Sequence, residues 1–401
     1  MILDYIGVHE KQFAREIELF LVNTDKRYWE KIIKKFDAEG GVYYRVYLQT
    51  RNPLAEGIRQ YLGLLREGKS LWKHRTREID DLVQIVFTVN RILKHVSAKA
   101  KKEIISKLTS EDIRSFLHEL TIATHFLRNR FNVEFVEYER SHSTGTTFDF
   151  LVTTDSMEAE IECKTKSYDA GRRVTRKGFY LFCDEIIKQL SSYKVKCVIE
   201  LNCSNQLGQD QSTFRLIAQK LRGAIEHRSE IVTFNENLSL SINYLSPLTI
   251  IDSAESFASV VQPFWTPQSH FATLSNSETT IIIKVQSEAP DIVLQALYNE
   301  LKGSLNQFSS KRPALIACHI EGIYPEQWEE LRKGSGLAAM TSRLLGKEKA
   351  AHIHTIAYSS EIERIRAANR IDITHPVLFF TNDSCSRFKD QDIFSLTAKE
   401  R

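Results

Sequence analysis

Glu119, Asp149, Glu162 and Lys164 are the residues of this 401-residue chain whose types and spacing best suit chemistry. Glu162 and Lys164 lie in MEAEIECKTKS. Strand alternation puts Glu158, Glu160, Glu162 and Lys164 on one face of that segment and Ala159, Ile161 and Cys163 on the other. Asp149 lies in TTFDFLVTT, with Phe148 and Phe150 on its opposite face, and a turn at Asp155–Ser156 folds the two segments into a hairpin. Two carboxylates and one ammonium on adjacent strands suit a hard divalent cation, which takes oxygen ligands and keeps several waters. A lysine beside such a water can orient or deprotonate it for attack on phosphorus.

The helix expected over Glu111–Arg130, with Thr109 and Asp112 as a capping box, contributes a third acid. Ile113, Phe116, Leu117, Leu120, Ala123, Phe126 and Leu127 form its apolar stripe, and at 100° per residue Glu119 falls on the edge of that stripe. A carboxylate there needs a cation or a hydrogen-bond donor. His118 and His125 point the other way and read as surface histidines. A plainer account also fits each residue singly. Glu158, Glu160 and Glu162 would be the solvated face of an edge strand, Glu162 and Lys164 an ordinary ion pair, and Asp149 a turn residue.

Stepwise apolar periodicity predicts helices in EKQFAREIELFLV, YWEKIIKKF, NPLAEGIRQYLGLL and EIDDLVQIVFTVNRILKHV, so residues 1–105 form an all-helical N-terminal domain. Residues 106–204 read helix, strand, strand, helix, strand, with the second helix around Leu181–Tyr193 and VKCVIELN as the last strand. Residues 205–275 are an insertion or linker. Residues 276–401 form a C-terminal α/β region: strand ETTIIIKVQS, helix Asp291–Gln307, strand PALIACHIEGI, helix Gly336–Leu345, and strands HIHTIAYS and HPVLFF. This last region is either a sheet extension or a degenerate second copy. In the second case Lys284 and Gln307 echo Lys164 and Gln189, without the acids.

Glu119 on a helix, Asp149 on a strand and Glu162-Cys163-Lys164 on the next strand together resemble the PD-(D/E)xK nuclease superfamily, which includes many restriction endonucleases. Gln189-Leu190-Ser191-Ser192-Tyr193 is similar to the QxxxY motif of its RecB-like branch. The likeness spans Ser110–Asn202; Phe148 stands where a proline often precedes the acid, and the cysteine pattern of the iron–sulfur members is absent. The resemblance implies an α/β fold with a restriction-endonuclease-like mixed sheet flanked by helices. It implies Mg2+ or Mn2+ bound by Asp149 and Glu162, with Glu119 touching the metal directly or through water. Lys164 would position the attacking water, and Gln189 and Tyr193 would support the site. It further implies DNA as substrate, with an endonuclease role in restriction or antiviral defence. The alternatives are a catalytically inactive nucleic-acid or partner-binding protein and an RNA-cleaving effector.

Arg172, Arg173, Arg176 and Lys177 in GRRVTRKG follow the Lys164 strand without an intervening acid and suit phosphate contacts. The basic runs Lys73–Arg77 and Lys94–Lys107 read as solvated surface, Arg128 and Arg130 as helix-end residues, and Ser143–Gly145 as a flexible loop. With 42% hydrophobic and 26% charged residues, the chain has the makings of packed cores and is not chiefly disordered. Its formal charge of +3 is too mild to name a partner. Its six cysteines form no CxxC pair and read as reduced thiols. MILDYIGVHEKQF shows no signal-peptide pattern and no run suits a bilayer, so a cytoplasmic protein is expected, alone, as a homo-oligomer or with a partner defence protein. No P-loop, nucleotide-binding glycine fingerprint or nucleophile motif supports a kinase, ATPase or hydride-transfer reading.

Overall fold

A computed structural model describes residues 10–382 and 385, except 39–40, 72, 111, 140–147, 156, 236, 250, 267, 324, 361–362, 368–369 and 375–376. The expected loop Ser143–Gly145 therefore lies outside the described residues, as do Ser156 of the hairpin turn and Glu111 of the helix start. Among the described residues from 10 to 108 the regular elements are all helices: α1 (Glu10–Asn23), α2 (Lys26–Ala38), α3 (Val42–Arg51), α4 (Pro53–Arg66), α5 (Arg77–Ile92) and α6 (Ala98–Leu108). Local chemistry sets several starts. Asn52, Thr76 and Ser97 each accept a backbone N–H from the first turn of α4, α5 and α6, and Pro53 occupies the opening position of α4.

Next come α7 (Arg114–Arg128), β1 (Asn132–Phe135), α8 (Val136–Glu139), β2 (Phe150–Thr154), β3 (Met157–Ser167), α9 (Arg176–Leu190) and β4 (Lys196–Cys203). Then follow α10 (Gln211–Glu226), β5 (Ile231–Asn235), β6 (Leu238–Tyr244), α11 (Ala254–Val261), β7 (His270–Ser275) and β8 (Thr280–Ser287). The last stretch holds α12 (Val293–Ser304), β9 (Ala314–Glu321), α13 (Pro325–Lys333), α14 (Ser335–Leu345), β10 (Ile353–Ser359), the hairpin β11 (Glu363–Ala367) and β12 (Arg370–Thr374), and β13 (Val377–Thr381). Among the described residues no helix is long and apolar enough to cross a membrane.

The start of α7 differs from the expected capping box. Thr109 closes α6 instead, its hydroxyl donating to the Ile105 and Ser106 carbonyls, and α7 begins after Ile113 with no side-chain cap. Asp112 instead pairs with Arg51 and Arg114.

The fold is α/β, with two mixed sheets flanked by helices in two compact units. The first unit comprises Met1–Lys35, Gln49–Tyr168 and Leu294–Arg401; the second comprises Phe36–Leu48 and Asp169–Val293. These units cross the expected boundaries at 105, 204 and 275, because strand pairing joins segments far apart in sequence. β3 runs parallel to β9, with Glu162 opposite Ile316 and Lys164 opposite Cys318, while β4 runs parallel to β8.

In the first unit the sheet order is β1-β2-β3-β9-β10-β13. β1, β2 and β3 are antiparallel neighbours, β9 and β10 continue in parallel, and β13 closes antiparallel to β10. Of the two expected roles for the C-terminal region, β9, β10 and β13 take the sheet extension. β3 is therefore a central strand and not an edge. Leu297, Leu301, Ile316, Cys318 and Ile356 pack in one core of this unit.

The second unit has the sheet order β5-β6-β4-β8-β7. Cys197, Ile199, Leu201, Ile281, Ile283 and Val285 on one sheet face pack with Phe182 of α9 and with Phe214 and Leu221 of α10. The stretch expected as an irregular linker is thus largely regular, and Phe214, Ile217, Ala218, Leu221, Ala224 and Ile225 give α10 a buried helical stripe. Asp184 of α9 accepts the backbone N–H groups of Tyr43 (2.9 Å) and Tyr44 (2.8 Å) at the start of α3. A Cβ on Gly41 would collide with that carboxylate. Asp184→Ala is expected to cost about 1–2 kcal/mol, the usual loss of a helix cap, read as a lower urea midpoint and faster hydrogen exchange at the Tyr43 and Tyr44 amides.

Candidate active site

Glu119, Asp149, Glu162 and Lys164 all lie in the first unit. α7 carries Glu119 on the rim of its buried stripe; the side chain is 13% exposed, close to the position expected from the helical wheel. Asp149 immediately precedes β2. Its Oδ2 accepts the Cys163 backbone N–H at 2.6 Å, and its own N–H donates to Ile161 O at 3.1 Å, which fixes the carboxylate beside β3. Glu162 is fully buried, and its carboxylate forms an ion pair with Lys164 Nζ. The side chain of Lys164 is 21% exposed, whereas that of the acid beside it is buried.

Burial dominates the electrostatics. It pushes the Glu119 carboxyl up to about 8, with the Asp149 charge adding to the shift and Lys107 opposing it. It also pushes Glu162 up to about 8, again with Asp149 adding and Lys164 opposing. Asp149 rises to about 6, chiefly through burial, against the Cys163 N–H bond and the Lys164 charge. Desolvation pulls the Lys164 ammonium down, but the Glu162 charge and hydrogen bond outweigh it and hold the pKa above the ordinary lysine value. Lys164 is therefore suited to holding and orienting a water as a cation, and poorly suited to removing a proton.

Three buried acids, with Asp149 raising the proton affinity of both Glu119 and Glu162 and Glu162 adding to that of Glu119, form a site short of positive charge. Both Glu162 oxygens are buried, and the Lys164 ammonium is the cation paired with that carboxylate. All-oxygen donors of this kind fit Mg2+ or Mn2+ and not a soft metal. Among the described residues no three His, Cys, Asp or Glu side chains stand at the spacing of a formed metal centre. Asp149 and Glu162 are the residues that would hold a hard cation, with Glu119 reaching it directly or through water.

No known family model matches the chain, and no curated protein matches it significantly. Its own geometry must carry the functional reading.

That geometry also corrects the reading of Lys94–Lys107 as solvated surface at its last residue. Lys107, near the end of α6, lies 3.9 Å from Glu119 and 3.0 Å from Glu137, with its ammonium 4.8 Å from the Tyr138 ring centroid. Burial would lower its pKa, but Glu119, Tyr138 and Glu137 raise it above the ordinary value. The signal was present in the sequence, because Lys107 adjoins the stripe Ala100, Ile104 and Leu108 just as Glu119 adjoins its own.

His118 is buried, contrary to its surface assignment. Its Nε2 lies 3.0 Å from the Ala317 carbonyl and its ring stacks on His319, while burial lowers its pKa to about 4. His125 is half-buried and similarly lowered to about 4.

Of the acids of β3 only Glu158 is exposed; Glu160 and Glu162 are buried and form no solvated face. Glu160 is fully buried and accepts the Ser309 N–H at 2.8 Å, the Ser309 hydroxyl and Arg312 Nη1 at 3.2 Å. Glu158 pairs with Arg312 at 2.5 Å. Glu160 thus ties β3 to the loop after α12. Glu160→Ala is expected to destabilise the first unit by about 2–4 kcal/mol, since it strands buried donors. Equilibrium urea unfolding checks this, and the folded variant should keep its metal response. Two residues beyond Lys164 on the same strand face, Lys166 pairs with Glu300 at 2.7 Å beside an open recess of about 430 Å³ that includes Ala296, Asn299 and Gly303 of α12.

The remaining expected residues belong to the second unit. Gln189 is partly buried near the end of α9, and Tyr193 donates its hydroxyl to Glu226 at 2.5 Å. In the first unit the helix that follows β3 is α12, because residues 169–293 intervene as the second unit. The basic loop is also tied down. Arg172 is buried, with Nε 3.5 Å from Asp291; Arg173 N–H donates to Asp291 at 2.8 Å; Arg176 pairs with Asp169 at 3.1 Å; and Lys177 is partly buried. Carboxylates already answer the charges of Arg172 and Arg176.

Proposed function

We propose that this protein is a Mg2+- or Mn2+-dependent nuclease that hydrolyses phosphodiester bonds in DNA, an endonuclease of restriction or antiviral defence. The observation that carries the reading is the convergence of Glu119, Asp149 and Glu162, each with raised proton affinity, beside the partly exposed side chain of Lys164. The order of elements in the first unit supports the finer fold assignment. α7 leads into the antiparallel strands β1, β2 and β3, and α12 leads into β9, parallel to β3. That order agrees with a restriction-endonuclease-like core carrying the second unit as an insertion.

A divalent cation at these carboxylates supplies Lewis acidity and neutralises charge on the phosphoryl group. Lys164 orients the attacking water and stabilises developing negative charge through its ammonium. Glu162 holds Lys164 in place, and the Cys163 N–H fixes the Asp149 carboxylate. The open recess at Lys166 and Glu300 gives a nucleic-acid strand an approach along the Lys164 face of β3.

The test is incubation of the full chain with supercoiled and linear DNA, and with RNA, in Mg2+ or EDTA. Metal-dependent nicking or linearisation of the supercoiled form is the expected result. Cleavage of RNA alone would make the protein an RNA-cleaving effector. Binding without cleavage of either polymer would favour a catalytically inactive nucleic-acid binder.

A further inference from the structure

We propose that the exposed basic face of α6, with the α5–α6 turn, is the surface on which the nucleic-acid backbone docks, in place of the loop Arg172–Lys177. The inference rests on the nuclease reading and adds to it the route by which the polyanion meets the site. Lys94, Lys99, Lys101 and Lys102 are exposed, with Arg91 beside them at the end of α5. No ion pair joins any of them to an acid among the described residues. They contrast with Arg172 and Arg176, whose charges are answered by Asp291 and Asp169.

Their position on the helix is a second observation. Ala100, Ile104 and Leu108 bury one stripe of α6, and Lys99 and Lys102 fall on the opposite face, three residues apart. The first turn contains no acid. Cations at a helix N-terminus face the positive end of the backbone dipole and cost stability, typically some tenths of a kcal/mol each. Lys99 lies in that first turn and Lys101 and Lys102 in the second, all three exposed, with Glu103 the one exposed acid beside them on α6. An external polyanion meets the lysines and the dipole with the same sign of attraction.

The third observation is direction. Lys107, at the other end of α6, stands at the carboxylate site beside Glu119. Five to eight residues of helix separate it from Lys102 and Lys99, an axial rise of about 7–12 Å at 1.5 Å per residue. That distance is comparable to one or two phosphate steps along a strand. α6 thus leads from an unneutralised cationic surface to the acids within one unit. Contacts of this kind position the backbone and read no sequence.

The experiment measures binding of a fluorescein-labelled DNA duplex in EDTA by anisotropy, from 50 to 300 mM salt, for the wild type, the triple variant Lys99→Glu/Lys101→Glu/Lys102→Glu and the double variant Arg173→Glu/Lys177→Glu. The triple variant is expected to weaken binding at least about tenfold and to lower the slope of log K against log salt by roughly 2–3, near one ion per lysine. The double variant should change neither comparably. The three lysines are exposed, so an unchanged melting temperature checks the fold. Wild-type DNA binding with an unchanged slope in the triple variant would overturn the proposal while leaving the nuclease reading intact. Absence of both nucleic-acid binding and cleavage by the wild type would remove the nuclease reading and this inference with it. Lysine-dependent binding to anionic vesicles, with none to DNA or RNA, would reassign the surface to a membrane and overturn the proposal.

Discussion

Lys164→Ala is expected to slow Mg2+-dependent cleavage of supercoiled DNA by about 10³-fold or more, equivalent to about 4 kcal/mol in the barrier, while metal binding survives. Lys164 is a partly exposed cation of the cluster whose pKa lies above the ordinary lysine value, so on the proposed reading its removal deletes a charge that would face the reacting phosphate. Glu162→Gln is expected to lose cleavage to a similar degree for a different reason, because on the proposed reading it takes away a metal ligand. The two variants therefore separate in a thermal melt. Lys164→Ala should keep the rise in melting temperature that Mn2+ or Mg2+ gives the wild type, whereas Glu162→Gln should lose most of it. Lys164→Arg should not restore full rate, since the planar guanidinium cannot occupy the compact position of the ammonium against Glu162. Undiminished cleavage in both variants would place the active site elsewhere in the chain. A loss of activity accompanied by a collapsed melt would mark Lys164 as structural.

Residues whose environment is set by neighbours within one or two turns were legible in the sequence. α1, α2, α4 and α5 follow their apolar stripes, and Glu119 sits on the rim of α7 because that rim is fixed by Phe116, Leu120 and Ala123 a turn away. The β2–β3 hairpin was legible for the same reason, its register being set across a short turn. What failed depended on partners distant in the chain. Whether Glu160 and Glu162 face water or protein is decided by β9, which pairs with β3 from more than 150 residues downstream, and by Ser309 and Arg312. Sequence proximity made α9 the natural helix after the Glu-x-Lys strand. The second unit breaks that proximity, so Gln189 and Tyr193 belong to a different core from Lys164. The basic loop illustrates the same limit, for its counter-charge at Asp291 lies over 110 residues away. Lys107 is the exception, a residue that local reasoning could have reached by applying to α6 the test it applied to α7.

The metal-free protein is expected to lose stability as the pH rises from about 4 to about 8, and a divalent cation should restore more of it at the upper end. The sign follows from the direction of the shifts. Glu119 and Glu162 at about 8 and Asp149 at about 6 all have folded-state pKa values above those of ordinary carboxylates. A group raised on folding contributes stability that is present in full below its unfolded pKa, near 4, and is lost as the pH climbs through its folded value. The window here therefore runs from about pH 4 up to about pH 8, with the Asp149 share complete near pH 6, the reverse of a salt-bridged carboxylate, whose contribution is lost on acidification. Because the Asp149 charge acts on both Glu119 and Glu162, and that of Glu162 on Glu119, their losses do not add. A total of roughly 2–3 kcal/mol, or about 5–10 °C in melting temperature, is the expected scale. A bound cation takes the place of the protons, so its stabilisation should grow with pH and its binding should release protons. Thermal melts of the wild type in EDTA and in Mn2+ at pH 6, 7 and 8.5 measure both effects, with Glu162→Gln as the comparison. The Gln variant should melt no lower than the wild type at pH 8.5 in EDTA, since it removes a buried charge from a crowded set of like charges. A metal-induced shift that stays constant across the range, with a flat melting profile in EDTA, would show that these carboxylates do not share the electrostatic strain assigned to them.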